Sequence, residues 1–124
     1  MTFELTILGS SSAIPSFEKF PTSQVLNVRE RFFLIDCGEG TQIQLKRLNF
    51  SLAKIRHIFI SHLHGDHFFG LPGFISTRNL MGITSDIHIY SHSLLIELLK
   101  PILNHMKGDM GFEGSSKMCN AARP

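Results

Sequence analysis

His62-Leu63-His64-Gly65-Asp66-His67 places three imidazoles and a carboxylate within six consecutive residues. In an extended segment alternate residues point the same way, so His62 and His64 can converge on one cation. Gly65 then allows the sharp turn that presents Asp66 and His67 to a neighbouring position. Imidazole and carboxylate form a borderline nitrogen and oxygen donor set that suits zinc, with manganese or iron as substitutes. The chain holds seven histidines in 124 residues, and histidine is the side chain most used for metal ligation and for proton transfer near neutral pH. Three histidines and an aspartate at one strand end could not all be satisfied as core residues without competing for partners. The isolated His57, His88, His92 and His105 read instead as hydrogen-bonded structural residues.

Asp36 stands just before Cys37-Gly38-Glu39-Gly40 and has two readings. It is either a strand end before a glycine turn and an acid-capped helix, or an aspartate that orients the histidine loop from behind. Cys37 and Cys119 form no CxxC pair and read as free thiols. Lys46, Arg47, Lys54 and Arg56 make a local positive cluster that reads as a solvated face.

These groups need a frame. Phe3 to Leu8 alternates apolar and polar residues and is stopped by Gly9, which predicts a strand. Gln24 to Val28 and Arg31 to Asp36 predict two more, joined by a tight Arg29-Glu30 turn; Phe32-Phe33-Leu34-Ile35 is continuously apolar, as in a sheet buried on both faces. Thr41 is expected to cap a short helix over Gln42 to Leu48, ended by Asn49. Ile55 to Ile60 predicts a fourth strand leading into the histidine loop, and Pro72 opens a helix reaching about Met81. Ile87 to Tyr90 predicts a fifth strand. Ser91 is expected to cap a helix carrying Leu94, Leu95, Leu98, Leu99, Ile102 and Leu103 as a core stripe, with Pro101 a point where it could kink or divide. Phe68-Phe69 reads as core as well. The order is that of an α/β fold.

Residues 1–113 are expected to form the folded part. Residues 114–124 carry no apolar period and read as a tail, disordered or outside the fold. With 43% hydrophobic, 10% aromatic and 18% charged residues and a net charge of +2, the chain is neither a disordered polar polymer nor basic enough to argue nucleic-acid binding from charge alone. No apolar run approaches the ~20 residues of a membrane span, and the start lacks a signal-peptide pattern, so a soluble cytoplasmic protein without a membrane partner is expected.

The HxHxDH loop after an apolar strand resembles the signature of the metallo-β-lactamase superfamily. Three flanking stretches narrow the resemblance to its ribonuclease Z branch: Leu8-Gly9-Ser10-Ser11-Ser12-Ala13-Ile14-Pro15, Phe33-Leu34-Ile35-Asp36-Cys37-Gly38-Glu39-Gly40-Thr41-Gln42, and Ile58 through His67 to Gly70-Leu71-Pro72-Gly73. The resemblance runs from about Leu5 to Tyr90 and weakly to Glu113.

It implies an αβ/βα sandwich, of which this chain resembles the N-terminal half, with two zinc ions at the sheet edge. His62 and His64 would serve one, Asp66 and His67 the other, with Asp66 also accepting a proton from the attacking water. The implied activity is a zinc-dependent endoribonuclease that removes the 3′ trailer from precursor tRNA, working as a homodimer. Family members are more than twice as long, and their second half supplies further metal ligands and the leaving-group histidine. The RNA-gripping arm has no counterpart here, and Ser16-Phe17-Glu18-Lys19-Phe20 replaces a more basic stretch. The chain therefore reads as truncated and inactive alone. The alternatives are a thioester or lactone hydrolase on the same fold, and a non-catalytic subunit that associates through its apolar surface.

Overall fold

The computed structural model describes residues 2–10, 20–110 and 116–120. Its centre is a six-stranded sheet in sequential order: β1 (Phe3–Gly9), β2 (Ser23–Val28), β3 (Arg31–Ile35), β4 (Ile55–Phe59), β5 (Ile87–Ser91) and β6 (Ser116–Asn120). β1, β2 and β3 pair antiparallel, while β3, β4, β5 and β6 are parallel neighbours. The turn between β2 and β3 is two residues long, Arg29 at φ 53° and Glu30 at φ 67°. That is the left-handed pair a tight hairpin needs to match the strand twist. The Asn27 side-chain oxygen accepts from the Glu30 amide at 2.9 Å and reinforces it.

Parallel strands need crossover connections, and helices supply them. α1 (Thr41–Arg47) lies between β3 and β4, α2 (Leu71–Leu80) between β4 and β5, and α3 (Ser93–Met110) between β5 and β6. They cover one face, where Val25, Leu34, Ile58, Ile87 and Ile89 meet Leu45, Leu71, Phe74, Ile75, Leu95, Leu99 and Leu103 in a single buried cluster.

The strand registers put Phe3, Leu5, Ile7, Leu26, Val28, Phe33, Ile35, His57, Phe59, His88 and Tyr90 together on the opposite face. Phe3, Leu5 and Ile7 are 70%, 58% and 61% exposed, so no described element covers them. Among the described residues there is thus one helical layer, and the opposite sheet face is bare.

Several expectations need correction. Gly40, at φ 81°, precedes α1, and Thr41 is the first helical residue; its hydroxyl donates to the Gly38 carbonyl at 2.7 Å instead of capping. Ser91 ends β5, and the ring Nδ1 of His92 accepts from the Leu94 amide at 3.1 Å at the start of α3. Pro101 does not divide that helix, which runs through it. Only one side of its apolar stripe is core: Leu95, Leu99 and Leu103 are buried, whereas Leu94, Leu98 and Ile102 are exposed. Six apolar residues span more of the helix circumference than one contact with the sheet can cover. Phe68 packs on the core, but Phe69 is exposed.

Beyond residue 113 the side-chain pattern predicted no element, yet Ser116–Asn120 pairs in parallel with Ile87–Ser91. Edge-strand pairing uses backbone groups that every residue carries, so an apolar period is not required. The remaining tail positions, 114–115 and 121–124, lie outside the described residues, as do 11–19 of the opening block and the Cys119 side chain.

Candidate active site

The histidine loop leaves the C-terminal end of β4, and Asp36 leaves the C-terminal end of the parallel neighbour β3. The carboxyl ends of parallel strands are where open α/β sheets bind ligands, because the chain there is free to turn outward in loops. Sheet pairing thereby joins Asp36 to a loop some thirty residues further along the chain.

Asp36 is held from every side. Its amide donates to the Phe59 carbonyl at 2.7 Å, and its carbonyl accepts from the buried Ser23 hydroxyl at 2.9 Å. These contacts sustain a left-handed backbone, φ 61°, which aspartate tolerates better than most residues. The carboxylate turns toward the loop. Oδ1 accepts from the Ser61 amide at 2.8 Å, the Ser61 hydroxyl lies 2.9 Å from Oδ1 and 2.8 Å from Oδ2, and His67 Nδ1 donates to Oδ2 at 2.8 Å. The aspartate is 5% exposed, and buried charge is tolerable when its lone pairs are filled in this way.

Two backbone bonds lock the same junction. The Cys37 amide donates to the His67 carbonyl at 2.7 Å, and the Gly70 amide donates to the Cys37 carbonyl at 2.9 Å. A Cβ at position 70 would sit 1.9 Å from the Gly38 oxygen, so Gly70 is there because the two chain segments touch backbone to backbone.

Beyond this clamp the loop is open to solvent. His62 and His64 are exposed, while Asp66 and His67 are half-buried in a single 3₁₀ turn, Gly65–His67. The His62 ring stacks on His67 with centroids 4.8 Å apart and stands 5.8 Å from His64; His67 Nε2 lies 3.6 Å from Asp66 Oδ2.

The structure therefore brings His62, His64, Asp66, His67 and Asp36 to one corner. Asp36 touches His67 directly, at 2.8 Å. Among the described residues no group of three or more histidine, cysteine, aspartate or glutamate side chains is arranged to hold one metal ion. The donor chemistry fits a zinc-type cation as two half-sets, an imidazole pair and an imidazole with a carboxylate, each short of a closed tetrahedron. The committed Nδ1 of His67 fits as well, because ligating imidazoles usually donate their second nitrogen to a carboxylate.

Cys37 is buried beside this corner, and burial pushes its thiol up to about 12, with a Thr41 hydrogen bond opposing the effect and Asp36 adding to it. His57 and His88 lie mid-strand on the bare face, ring centroids 5.0 Å apart, away from the loop. The residue that sequence reasoning missed is Ser61. Its only sequence signal was a hydroxyl between the end of β4 and the first histidine.

A family model described as Anti-Pycsar protein Apyc1 matches residues 3–119, and the chain belongs to that family. It is 57% identical to the ribonuclease Z of Bacteroides thetaiotaomicron over 102 residues, which are 82% of this chain and 32% of the relative. The crystal structure of human tRNase Z, short form, superposes with a TM-score of 0.76 at 38% identity, covering 92% of this chain and 42% of that one. A metallo-β-lactamase fold protein from Bacillus subtilis superposes at 0.71 with 18% identity, covering 95% of this chain and 45% of that one, a likeness of fold alone. The resemblance drawn from the motifs is thus shown, and the α/β metallo-β-lactamase-like fold with it. The chain spans about a third of the length of the curated relative.

Proposed function

We propose that these residues are the N-terminal part of a zinc-dependent endoribonuclease that removes the 3′ trailer from precursor tRNA. The observation that carries the reading is the clamp of Asp36 and Ser61 on His67, at the carboxyl ends of two parallel strands, behind a loop rich in ligating groups. The name of the 57% identical relative supports the reaction and substrate. Nothing comparable favours a thioester or lactone hydrolase.

Two bound zinc ions would lower the pKa of water and neutralise charge on phosphodiester oxygens. His62 and His64 would offer nitrogens to one, and Asp66 and His67 an oxygen and a nitrogen to the other. Asp66, half-buried beside His67 Nε2, would take the proton of an attacking water in this reading. Asp36 keeps the His67 ring from rotating. Because each cation would find only two protein ligands here, the chain alone is expected to hold zinc weakly and to be inactive. The working enzyme in this reading is a cytoplasmic homodimer. No described helix is long and apolar enough to cross a membrane.

The test is a chimera in which this chain replaces the matching stretch of the Bacteroides thetaiotaomicron relative. Zinc-loaded, it should release the trailer from precursor tRNA, and Asp66→Ala should lower the rate by several orders of magnitude while His88→Ala changes little. Hydrolysis of a thioester without cleavage of precursor tRNA would reverse the assignment. A second reading, a non-catalytic subunit, is favoured by one observation only, the bare apolar sheet face.

A further inference from the structure

Ser61 sits at the meeting point of four acceptor or donor atoms and has one proton to give. A hydroxyl offers a single O–H and two lone pairs, whereas an ionised carboxylate only accepts. The Ser61 Oγ lies 2.9 and 2.8 Å from the two oxygens of Asp36, so its proton goes to that carboxylate. The lone pairs remain. His62 Nδ1 and His67 Nδ1 each lie 3.4 Å from the same Oγ.

The two imidazoles are constrained differently. His67 Nδ1 is nearer to Asp36 Oδ2, at 2.8 Å; since that oxygen cannot donate, Nδ1 must carry the hydrogen, and in the neutral ring Nε2 keeps its lone pair. Ser61 Oγ is the partner of His62 Nδ1. With the hydroxyl proton committed to Asp36, that contact is attractive only if His62 Nδ1 donates, which again leaves the lone pair on Nε2.

We infer that Ser61 is a positioning residue that holds His62 as its Nδ1–H tautomer, as Asp36 does for His67, so that both rings present an Nε2 lone pair to a divalent cation. The stacking of the two rings, interplanar angle 21°, keeps them side by side while this happens. The hub is tied to the backbone at two points. Ser61 is fixed by its own amide on Asp36 Oδ1 at 2.8 Å, and Asp36 is fixed by Phe59 and Ser23. Alanine at position 61 would keep the amide contact and remove only the hydroxyl. Threonine would keep both.

The inference rests on the proposed cation site, but tautomers can be read without a cation, so the two ideas fail separately. The experiment uses the chain labelled with ¹⁵N-histidine, metal-free, at a pH well above the ordinary imidazole value, with long-range ¹H–¹⁵N correlations assigning each ring. Both His62 and His67 should be Nδ1–H. Ser61→Ala should move His62 toward the Nε2–H form while His67 stays as it was, and Ser61→Thr should restore the wild-type pattern. A wild-type His62 in the Nε2–H form, or a Ser61→Ala protein whose His62 does not change, overturns the proposal. If Ser61→Ala does not fold, the wild-type and threonine spectra still decide.

Titration of the same samples with zinc chloride supplies the second readout. The alanine variant should bind about 10- to 100-fold more weakly than wild type, the range expected when an orienting partner of a metal ligand is lost. Correct tautomers with no zinc response in any sample would support the role of Ser61 and count against the cation site instead.

Discussion

Asp36 concentrates more of the local order than any other side chain at the site, and removing it leaves the Ser61 amide, the Ser61 hydroxyl and His67 Nδ1 without their acceptor at once. Hydrogen bonds to a charged group are worth about 1.5–3 kcal/mol, and the donors left behind are partly open to water, which replaces some of what they lose. Asp36→Ala should therefore destabilise the fold by about 2–4 kcal/mol in urea denaturation, and an unchanged midpoint would show that the clamp carries no stability. His57 makes a pH prediction. Partial burial lowers its pKa below the ordinary imidazole value, helped by His88, Arg31 and Arg56. Tyr90 meets its Nδ1 at 3.2 Å, and Glu30 and Lys54 line the same cavity. A depressed imidazole pKa means the unfolded chain binds the proton more readily. Stability should then be full above the unfolded value of about 6.5 and fall as pH drops from there toward the folded value. His57→Asn should flatten that decline between pH 7 and 5; an identical slope in both proteins would assign it to other groups.

Elements meet here at backbone distance, and Gly70 shows how narrow the tolerance is. Its amide joins α2 to the loop after β3, and the Gly38 oxygen occupies the place of a Cβ. Gly70→Ala must push these segments apart, a strain expected to cost about 1–3 kcal/mol and to loosen the site. Gly82, after α2, provides the comparison: nothing lies within 4 Å of its missing Cβ, although its φ is 75°. Gly82→Ala carries only a left-handed backbone penalty of about 1 kcal/mol. Equal thermal shifts for the two variants would mean that close packing at position 70 is unimportant. Both glycines are visible in the sequence, but which one touches a neighbouring backbone is decided by the pairing of β3 with β4, and no local pattern encodes that.

At the scale of the whole molecule the bare sheet face dominates. Phe3, Leu5 and Ile7, all more than half exposed, continue across the strands through Leu26, Val28, Phe33 and Ile35 to Phe59 and Tyr90. An apolar patch of this extent demands a cover. The matched stretch is about a third of the matched relative, and we propose that in a sample of this chain a second copy covers the face, packed sheet on sheet. A standard interface takes about 800 Å² from each partner, and an apolar contact of that kind should survive high salt. Light scattering at micromolar concentration should report a dimer or larger species in both low salt and 1 M salt, with Leu5→Lys shifting it toward monomer. A monodisperse monomer in both buffers would overturn the expectation.

Periodicity and motif are local, and they were legible. The alternation of Phe3 to Leu8, the apolar run before Asp36, the Pro72 helix start and the loop from His62 to His67 all depend on neighbours in sequence, which is why the first five strands and the first two α-helices fall where the pattern predicts to within a residue or two. What joins Asp36, Ser61 and His67 is the register of two parallel strands separated by a helix, and many registers are compatible with the same apolar alternation. The same applies to α3, where the stripe from Leu94 to Leu103 does not say which of its residues face the sheet, and to β6, which pairs through backbone groups that carry no side-chain signature. The sequence by itself determined the elements and the chemistry of the loop; only the tertiary structure decided which atoms hold that loop, because those contacts arise from chain segments that sequence distance keeps apart.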